Sequence, residues 1–232
     1  MPGVQGEEAS GRSLAADRPR GWPVPPIVVG VATPLVILGV TVLLLLTPAY
    51  IHGALAQSGS ASILGVSEAR AQALSDQTVH EIVFGPQTFA FPFRPGGPTF
   101  YDAAEANHLR DVHDVLFAFL SLVGTSVVAL AVAVAVWRRQ RWLWRAVAAG
   151  AAVLGGALVL VGIFFSVAFD TAFTLFHEIF FPEGDWSFNV ATQRLVQLYP
   201  TPFWELTATV MALLAIGLSL AVWLGAIRLA RR

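Results

Sequence analysis

The sequence predicts an all-α membrane protein: a four-transmembrane-helix bundle with an extracytoplasmic cap that contains short β elements. Of the 232 residues, 56% are hydrophobic and only 12% are charged, whereas charged residues make up roughly 25% of an ordinary soluble domain. Four apolar stretches are each long enough to cross a hydrocarbon core of about 30 Å. Arginines concentrate near one end of these stretches, as is typical of the cytoplasmic ends of membrane helices.

The predicted membrane spans are residues 27–48, 115–137, 143–169 and 206–227. Only helices and closed barrels satisfy their backbone hydrogen bonds in lipid, and the length of these runs favours helices. The first run is longer than the roughly 7–15 apolar residues of a signal peptide, so we expect a retained anchor. Pro34 lies inside this run and predicts a kink.

The distribution of charge predicts the orientation of the spans. All 14 basic residues are arginines, and 12 of the 15 acidic residues lie in the two loops 49–114 and 170–205. We therefore expect both loops outside the cell and both termini in the cytoplasm. Residues 1–26, rich in glycine, proline and charge, are predicted to be a disordered cytoplasmic tail ahead of a membrane domain over 27–232. The arginines at the predicted cytoplasmic ends are Arg12, Arg18, Arg20, Arg138, Arg139, Arg141, Arg145, Arg228, Arg231 and Arg232.

The longer outer loop, 49–114, is too long to lie over a membrane without structure of its own. Within it, residues 83–86 and 88–93 alternate or cluster aromatic side chains between turn-forming residues. Such patterns are typical of short strands. We therefore expect a small β-rich cap.

Several classes of chemistry are excluded by composition. The absence of cysteine rules out disulfides, thiolate metal sites and cysteine nucleophiles. No lysine is available for a Schiff base, no G-x-S-x-G nucleophile elbow is present, and no basic face suggests nucleic acid as a partner. Phe181 stands where the zinc-protease pattern that starts at His177 and Glu178 would need a second histidine. Imidazole and carboxylate groups therefore remain as the candidates for catalysis.

All five histidines lie at the predicted outer side of the membrane, which indicates an outward-facing site for proton transfer. In a helix, Glu105, His108 and Asp111 would share one face, so a carboxylate could orient the imidazole. Polar residues that only cap a membrane helix are the alternative for this pattern. The preferred interpretation of His113 is a surface residue. The histidines are His52, His80, His108, His113 and His177.

A second segment places His177 and Glu178 among apolar residues that end at a proline. Ionisable groups at membrane depth are costly, and this makes them functional candidates. Phe173, Phe176 and Phe180 recur at helical spacing, and we interpret them as interfacial anchors. On a helix, Glu178 would point about 100° away from His177, so a direct bond between these neighbours is not assured.

Two motifs carry a resemblance to a known family. His108-Leu-Arg-Asp111-Val112 matches an H-x-x-D-V entry into the second span, and residues 176–181 match an F-H-E-x-F-F run. Trp186, Leu195 and Pro200 follow that run, as in the family pattern. Over roughly residues 30–230 the chain resembles the bacterial four-span membrane proteins of the lipoprotein intramolecular transacylase (Lit) type.

The resemblance implies an enzyme that moves an acyl chain from the sn-2 ester of an N-terminal diacylglyceryl-cysteine to the α-amino group of the same cysteine. It implies His108 and His177 as the catalytic pair at the outer leaflet, with Asp111, Glu178 and Glu105 as supporting candidates. The implied substrate is a diacylated bacterial lipoprotein embedded among membrane lipids, and we expect neither a cofactor nor a metal. Two imidazoles can supply a base for the amine and an acid for the departing oxygen; the sequence does not decide which ring does which.

Two other functions are compatible with the same residues. One is a membrane protein that holds a transition metal or haem through His52, His80, His108 and His177. The other is a non-catalytic component of envelope assembly, in which the outer carboxylates and aromatic residues form a surface for a protein partner.

Overall fold

The computed structural model describes residues 24–182 and 186–232. Over these ranges the chain forms nine helices and no β-strand. In chain order the helices are α1 (Val24–Leu45), α2 (Pro48–Ser58), α3 (Ser60–Leu64), α4 (Glu68–Phe84), α5 (Ala103–Trp137), α6 (Arg141–Val167), α7 (Phe169–Phe180), α8 (Arg194–Leu198) and α9 (Thr201–Ala230).

Four of the helices, α1, α5, α6 and α9, are long and apolar enough to cross a membrane. Their most apolar windows have a mean hydropathy between 2.4 and 2.6, and many of their large apolar side chains are exposed on the outside of the bundle. The predicted multi-pass membrane protein with four spans is confirmed. The predicted disordered tail lies outside the described residues up to residue 23, and residues 24–26 belong to α1.

The second membrane helix is longer than the predicted span of 115–137, because α5 begins at Ala103. Its start is fixed by a capping box: the Asp102 side chain accepts a hydrogen bond from the backbone N–H of Glu105, and the Glu105 side chain accepts one from the backbone N–H of Asp102. This reciprocal arrangement satisfies two N–H groups that a helix start otherwise leaves unpaired. The polar segment with His108 is therefore continuous with the membrane span.

Within the bundle, α1 lies between α5 and α6, and α6 packs along α9. Pro34 has no backbone N–H, so the carbonyl of Gly30 loses its usual partner in α1. Gly150 of α6 lies directly against this carbonyl, and a Cβ added at Gly150 would overlap it and contact the Cδ atom of Pro34. The absence of a side chain at Gly150 is what allows α1 and α6 to approach so closely at this point.

The cap consists of α2, α3, α4, α8 and the segment 85–102, and its hydrophobic core is separate from the smaller clusters within the bundle. The prediction of short β elements in the cap is wrong for the described residues, in which the sole β pairing is an isolated bridge between Pro92 and Thr99. The buried residues of the cap core include Leu55, Leu74, Phe89, Phe91, Phe100, Tyr101, Leu109, Leu195 and Leu198.

Two physical reasons account for the missing strands. Ser67 caps the start of α4 by accepting a hydrogen bond from the backbone N–H of Arg70, and the following residues continue as a helix up to Phe84. The aromatic residues after α4 do not alternate across a sheet; the ring of Phe100 stacks with those of Phe91 and Phe93. These aromatic side chains therefore pack as a cluster of stacked rings and do not form the cross-strand pairs that the sequence pattern predicted.

Side chains of α5 also hold the cap in place. The Nδ1 atom of His113 lies 2.6 Å from the carbonyl oxygen of Ile82 at the end of α4, and the Nε atom of Arg110 donates to the carbonyl of Gln87. His113 is half-buried and stacks on Phe117. The interpretation of His113 as a surface residue is therefore wrong.

Replacing Gly150 with alanine should lower the free energy of unfolding by about 1–3 kcal/mol, because the added methyl group overpacks the contact between α1 and α6. Thermal unfolding of the detergent-purified protein measures the change. Gly156→Ala is the matched control on the same helix, since nothing lies within 4 Å of its added Cβ atom. Equal stability of the two variants would contradict the close approach at Gly150.

Candidate active site

Two buried histidines meet at one end of the bundle. The ring centroids of His108, on α5, and His177, on α7, are 6.1 Å apart and their planes are inclined by 26°. His108 is 6% exposed and His177 is 9% exposed. Two imidazoles from distant segments thus stand within reach of one small functional group.

The helix arrangement explains this convergence. His108 lies near the start of α5, and α7 begins directly after α6 ends at Val167, so both rings lie at the end of the bundle opposite the arginine-rich turn between α5 and α6. Two residues of α7, Ala172 and His177, are buried. Several apolar side chains of this helix are exposed, namely Leu175, Phe176, Ile179 and Phe180.

Four aromatic side chains surround the histidine pair, and we call them the aromatic wall: Phe173, Phe181, Trp186 and Phe188. The centroid of the His177 ring lies 4.1 Å from that of Phe173 and 4.9 Å from that of Trp186. The His108 ring lies 4.8 Å from Phe181 and 5.5 Å from Phe188. The wall replaces water around both imidazoles with apolar surface.

The wall changes the interpretation of the phenylalanines on α7. Phe176 and Phe180 are exposed, as interfacial anchors would be, but Phe173 turns inward and packs against His177. Sequence analysis missed Phe173, Trp186 and Phe188 as residues of the site. Only its position after the second motif indicated Trp186, and no pattern in the sequence indicated Phe188.

One hydrogen bond sets the tautomer of His177. Its Nδ1 atom lies 2.8 Å from the carbonyl oxygen of Phe173, one helical turn earlier. A carbonyl can only accept a hydrogen bond, so Nδ1 carries the proton and the lone pair of the neutral ring is on Nε2. Burial lowers the pKa of His177 below its usual 6.5, and the Phe173 carbonyl opposes part of that effect. Neutral His177 therefore presents a basic Nε2 atom near pH 7.

Glu105, a predicted supporting residue on the His108 face of α5, binds backbone N–H groups through its carboxylate. Its carboxylate is 1% exposed and accepts hydrogen bonds from the backbone N–H of Asp102 at 2.8 Å and that of Leu195 at 2.6 Å. Glu105 thereby joins the start of α5 to the start of α8. Buried carboxylates need such donors to offset the loss of hydration.

A second contact strengthens this junction. The side-chain amide of Gln193 donates to the carboxylate of Asp102, so residues 193–195 are held against the first turn of α5. Trp186 and Phe188 lie a few residues before this segment in the chain. The side-chain amide of Gln197 donates to the carbonyl of Val190, which follows Phe188 by two residues. The junction thus positions one half of the aromatic wall.

The other two supporting candidates differ in their placement. Asp111 is half-buried and lies one helical turn beyond His108 on the same face of α5. Glu178 is exposed, while the adjacent His177 is buried. Of the predicted carboxylates, Asp111 and Glu105 belong to the surroundings of His108, and Glu178 points away from the pair.

The remaining histidines of the cap lie in other contacts. His52 pairs with Asp76 at 2.8 Å, and the His80 ring packs against Phe84 at 5.5 Å. Across residues 24–182 and 186–232, no group of three or more histidine and carboxylate side chains has a geometry suited to a metal ion. The four histidines that the metal or haem alternative would use are not gathered at one site.

Comparison with known proteins identifies the family. The family model described as lipoprotein intramolecular transacylase Lit matches residues 27–204. The chain belongs to the Lit family. A search of curated protein sequences finds no match.

The fold of this Lit-family protein is similar to solved structures of the lipoprotein intramolecular transacylase Lit from Bacillus cereus. One of them aligns with a TM-score of 0.75 and 14% sequence identity over 90% of this chain and 95% of that chain. Two structures of the same protein, each with one histidine replaced by arginine or by alanine, align with TM-scores of 0.69 at 12% identity. They cover 91% and 93% of those chains, respectively, and 90% of this one.

The motif residues of this Lit-family protein have identifiable structural places. Trp186 packs against His177, Leu195 donates its backbone N–H to Glu105, and Pro200 directly precedes α9. These three residues lie within one short stretch of sequence, and all belong to or border the segment that covers the histidine pair.

Glu105→Gln should lower the free energy of unfolding by about 1–3 kcal/mol, because one oxygen is lost and a buried backbone N–H is left without an acceptor. Thermal unfolding in detergent is the measurement. The control is Glu178→Gln, the same change on an exposed carboxylate, which should stay within about 0.5 kcal/mol of the unmodified protein. A stable Glu105→Gln variant would show that the junction between α5 and α8 does not depend on this carboxylate.

Proposed function

We propose that this protein is a membrane acyltransferase that acts within a bacterial lipoprotein. It moves an acyl chain from the sn-2 ester of the N-terminal diacylglyceryl-cysteine to the α-amino group of that cysteine, at the outer leaflet. The observation that carries this proposal is the pair of buried imidazoles of His108 and His177, 6.1 Å apart at one end of the bundle. Membership of the Lit family supports the substrate class.

The reaction requires few catalytic groups, since nucleophile and ester belong to the same substrate molecule. The amine must lose a proton, the carbonyl carbon must pass through a tetrahedral intermediate, and the departing sn-2 oxygen must gain a proton. Intramolecular proximity lowers much of the barrier before any side chain acts. Two imidazoles can provide both proton transfers.

His177 acts as the base in this mechanism. Its Nδ1 atom is occupied by the Phe173 carbonyl, so Nε2 is the atom that takes the proton from the substrate amine. Burial lowers the pKa of His177, which keeps the ring neutral and competent at neutral pH. The carbon–nitrogen bond forms as this proton leaves.

His108 supplies the proton to the departing oxygen as the sn-2 carbon–oxygen bond breaks. The products are the N-acyl amide and a free sn-2 hydroxyl, and a proton passed from His177 to His108 restores both rings. The ring centroids are 6.1 Å apart, close enough for a nitrogen at the edge of each ring to approach the same ester group. His108 therefore starts the cycle protonated and His177 starts it neutral, so the pair holds one extra proton throughout.

The surroundings of the pair fit a lipid ester at the outer leaflet. The aromatic wall offers apolar surface to acyl chains, and the exposed apolar side chains of α7 suit the boundary between head groups and hydrocarbon. The arginine-rich ends of the spans favour the cytoplasm, and this supports an extracytoplasmic position for the opposite end of the bundle, where both histidines lie.

Alanine at His108 or at His177 should lower formation of the lyso lipoprotein by about 10²–10⁴-fold, the range that general acid–base groups contribute. The assay expresses the protein with a diacylated lipoprotein in a bacterial host that lacks such enzymes, and mass spectrometry follows the shift of the acyl chain. The product has the mass of the substrate, so fragmentation must locate the acyl chain on the amino group.

His52→Ala and His80→Ala are the matched controls, because these histidines belong to other contacts in the cap. They should retain near-normal conversion. Unchanged lipoprotein with a well-folded unmodified protein would rule out the enzyme. Conversion at the normal rate by both His108→Ala and His177→Ala would favour a non-catalytic role for the pair.

The rate of acyl transfer should decline on the acid side with a midpoint below pH 6.5. The sign follows from burial: a lowered pKa means that His177 stays neutral until the pH falls below the usual histidine value, and only the neutral ring can accept a proton. Single-turnover rates between pH 5 and 8, measured in detergent micelles, give the midpoint. The substrate amine, whose usual pKa is about 8, causes its own decline at higher pH, so a profile with no further decline below pH 6.5 would contradict His177 as a buried base.

A further inference from the structure

The end of the bundle opposite the histidine pair contains a cavity between α6 and α9. Its volume is about 290 Å³. Two arginines and three apolar side chains line it: Arg145, Ala148, Ile227, Ala230 and Arg231. The cavity lies where α6 begins and α9 ends, so it is distinct from the candidate active site.

The shape of the cavity comes from small residues. Ala148 on α6 and Ala230 on α9 leave space that longer side chains would fill, and Ile227 contributes apolar surface between them. The two guanidinium-bearing side chains flank this apolar interior and are exposed. An apolar cavity with a cationic rim suits a ligand with an anionic head and a hydrocarbon tail.

Neither arginine is neutralised by a neighbouring carboxylate in the described part of the chain. The sole ion pair found there joins His52 and Asp76 in the cap. α6 contains no acidic residue, and the single acid of α9, Glu205, lies near the far end of that helix. At a rise of 1.5 Å per residue, Glu205 is roughly 35 Å from the last turn of α9.

An exposed apolar stripe leads away from the cavity along α9. Leu220 and Leu224 lie on the same face as Ile227 and Arg231, at spacings of three and four residues, and both leucines are exposed. In a membrane this stripe meets hydrocarbon. It offers a path for an acyl chain whose head group lies between the arginines.

We propose that this cavity binds the phosphate head group of an anionic phospholipid, with one acyl chain along the Leu220 and Leu224 stripe. The planar guanidinium fork of arginine matches phosphate oxygens in a bidentate manner. Basic pockets between membrane helices are suited to anionic head groups. The apolar interior and the stripe favour a lipid over a soluble phosphate compound.

Binding would link the two helices at their shared end. A ligand that binds the folded state alone raises its apparent stability. The helix α6 is followed directly by α7, which carries His177. The lipid would therefore stabilise the packing of α6 against α9 at the end of the bundle opposite the candidate active site. The proposal does not depend on the chemistry assigned to the histidines.

The test uses the full chain, purified in a neutral detergent and titrated with phosphatidylglycerol, with phosphatidylcholine of the same acyl chains, and with glycerol phosphate. Phosphatidylglycerol should raise the melting temperature and remain bound in native mass spectra. The zwitterionic lipid and the soluble phosphate should do neither. A response to glycerol phosphate equal to that of the lipid would overturn the assignment to a lipid.

The double variant Arg145→Gln with Arg231→Gln should weaken phosphatidylglycerol binding by about tenfold or more, the effect of losing a hydrogen bond between charged groups. The matched control is Arg138→Gln with Arg139→Gln, which removes the same charge from the same end of the bundle at residues outside the cavity. It should retain most of the affinity. Equal loss in both double variants would mean general attraction to a basic surface and would overturn the site.

A third variant tests the cavity with all charges present. Ala230→Leu fills the space between the arginines, so the lipid-dependent rise in melting temperature should shrink while the unliganded protein stays folded. An unchanged response in Ala230→Leu, or a response in the unmodified protein that does not distinguish phosphatidylglycerol from phosphatidylcholine, would overturn the proposal.

Discussion

The buried carboxylate of Glu105 holds together two parts of the chain that the bilayer alone would leave independent. Membrane helices are fixed by hydrophobic burial and backbone hydrogen bonding, whereas the described residues between α7 and α9 contain only the short helix α8. Glu105 accepts hydrogen bonds from the first turn of α5 and from the start of α8. This joint sets the position of His108 relative to the aromatic side chains that precede α8, and the geometry around both imidazoles follows from it.

The parts of the structure that depend on composition and periodicity were predictable from the sequence. Long apolar runs permit no alternative to helices in lipid, so the four membrane helices and the multi-pass fold followed directly. The proximity of His108 and His177 was predicted from different observations: the high cost of ionisable groups near a membrane and the two matched motifs. His177 is buried on α7, where Phe176 and Phe180 are exposed.

What the sequence could not supply was the choice of partner for each polar or aromatic group. A spacing of three residues placed Glu105 on the face of His108, but spacing cannot tell that both oxygens are used by backbone N–H groups. The alternating aromatics of the cap were equally compatible with strands and with a cluster of stacked rings, and long-range packing decided between them. His113 looked like a surface residue because its acceptor, the carbonyl of Ile82, belongs to a helix end that only the fold brings near.

The bond between His177 and the Phe173 carbonyl couples the tautomer of the His177 ring to the integrity of a single helical turn. Within α7 the same carbonyl is the acceptor for the backbone N–H of His177, four residues later. It therefore accepts from both the backbone and the ring of His177. If the last turn of α7 frays, the imidazole can rotate away from the Phe173 carbonyl. The ring proton is then no longer held on Nδ1. The tautomer of His177 therefore depends on a short stretch of backbone as well as on the side chain itself.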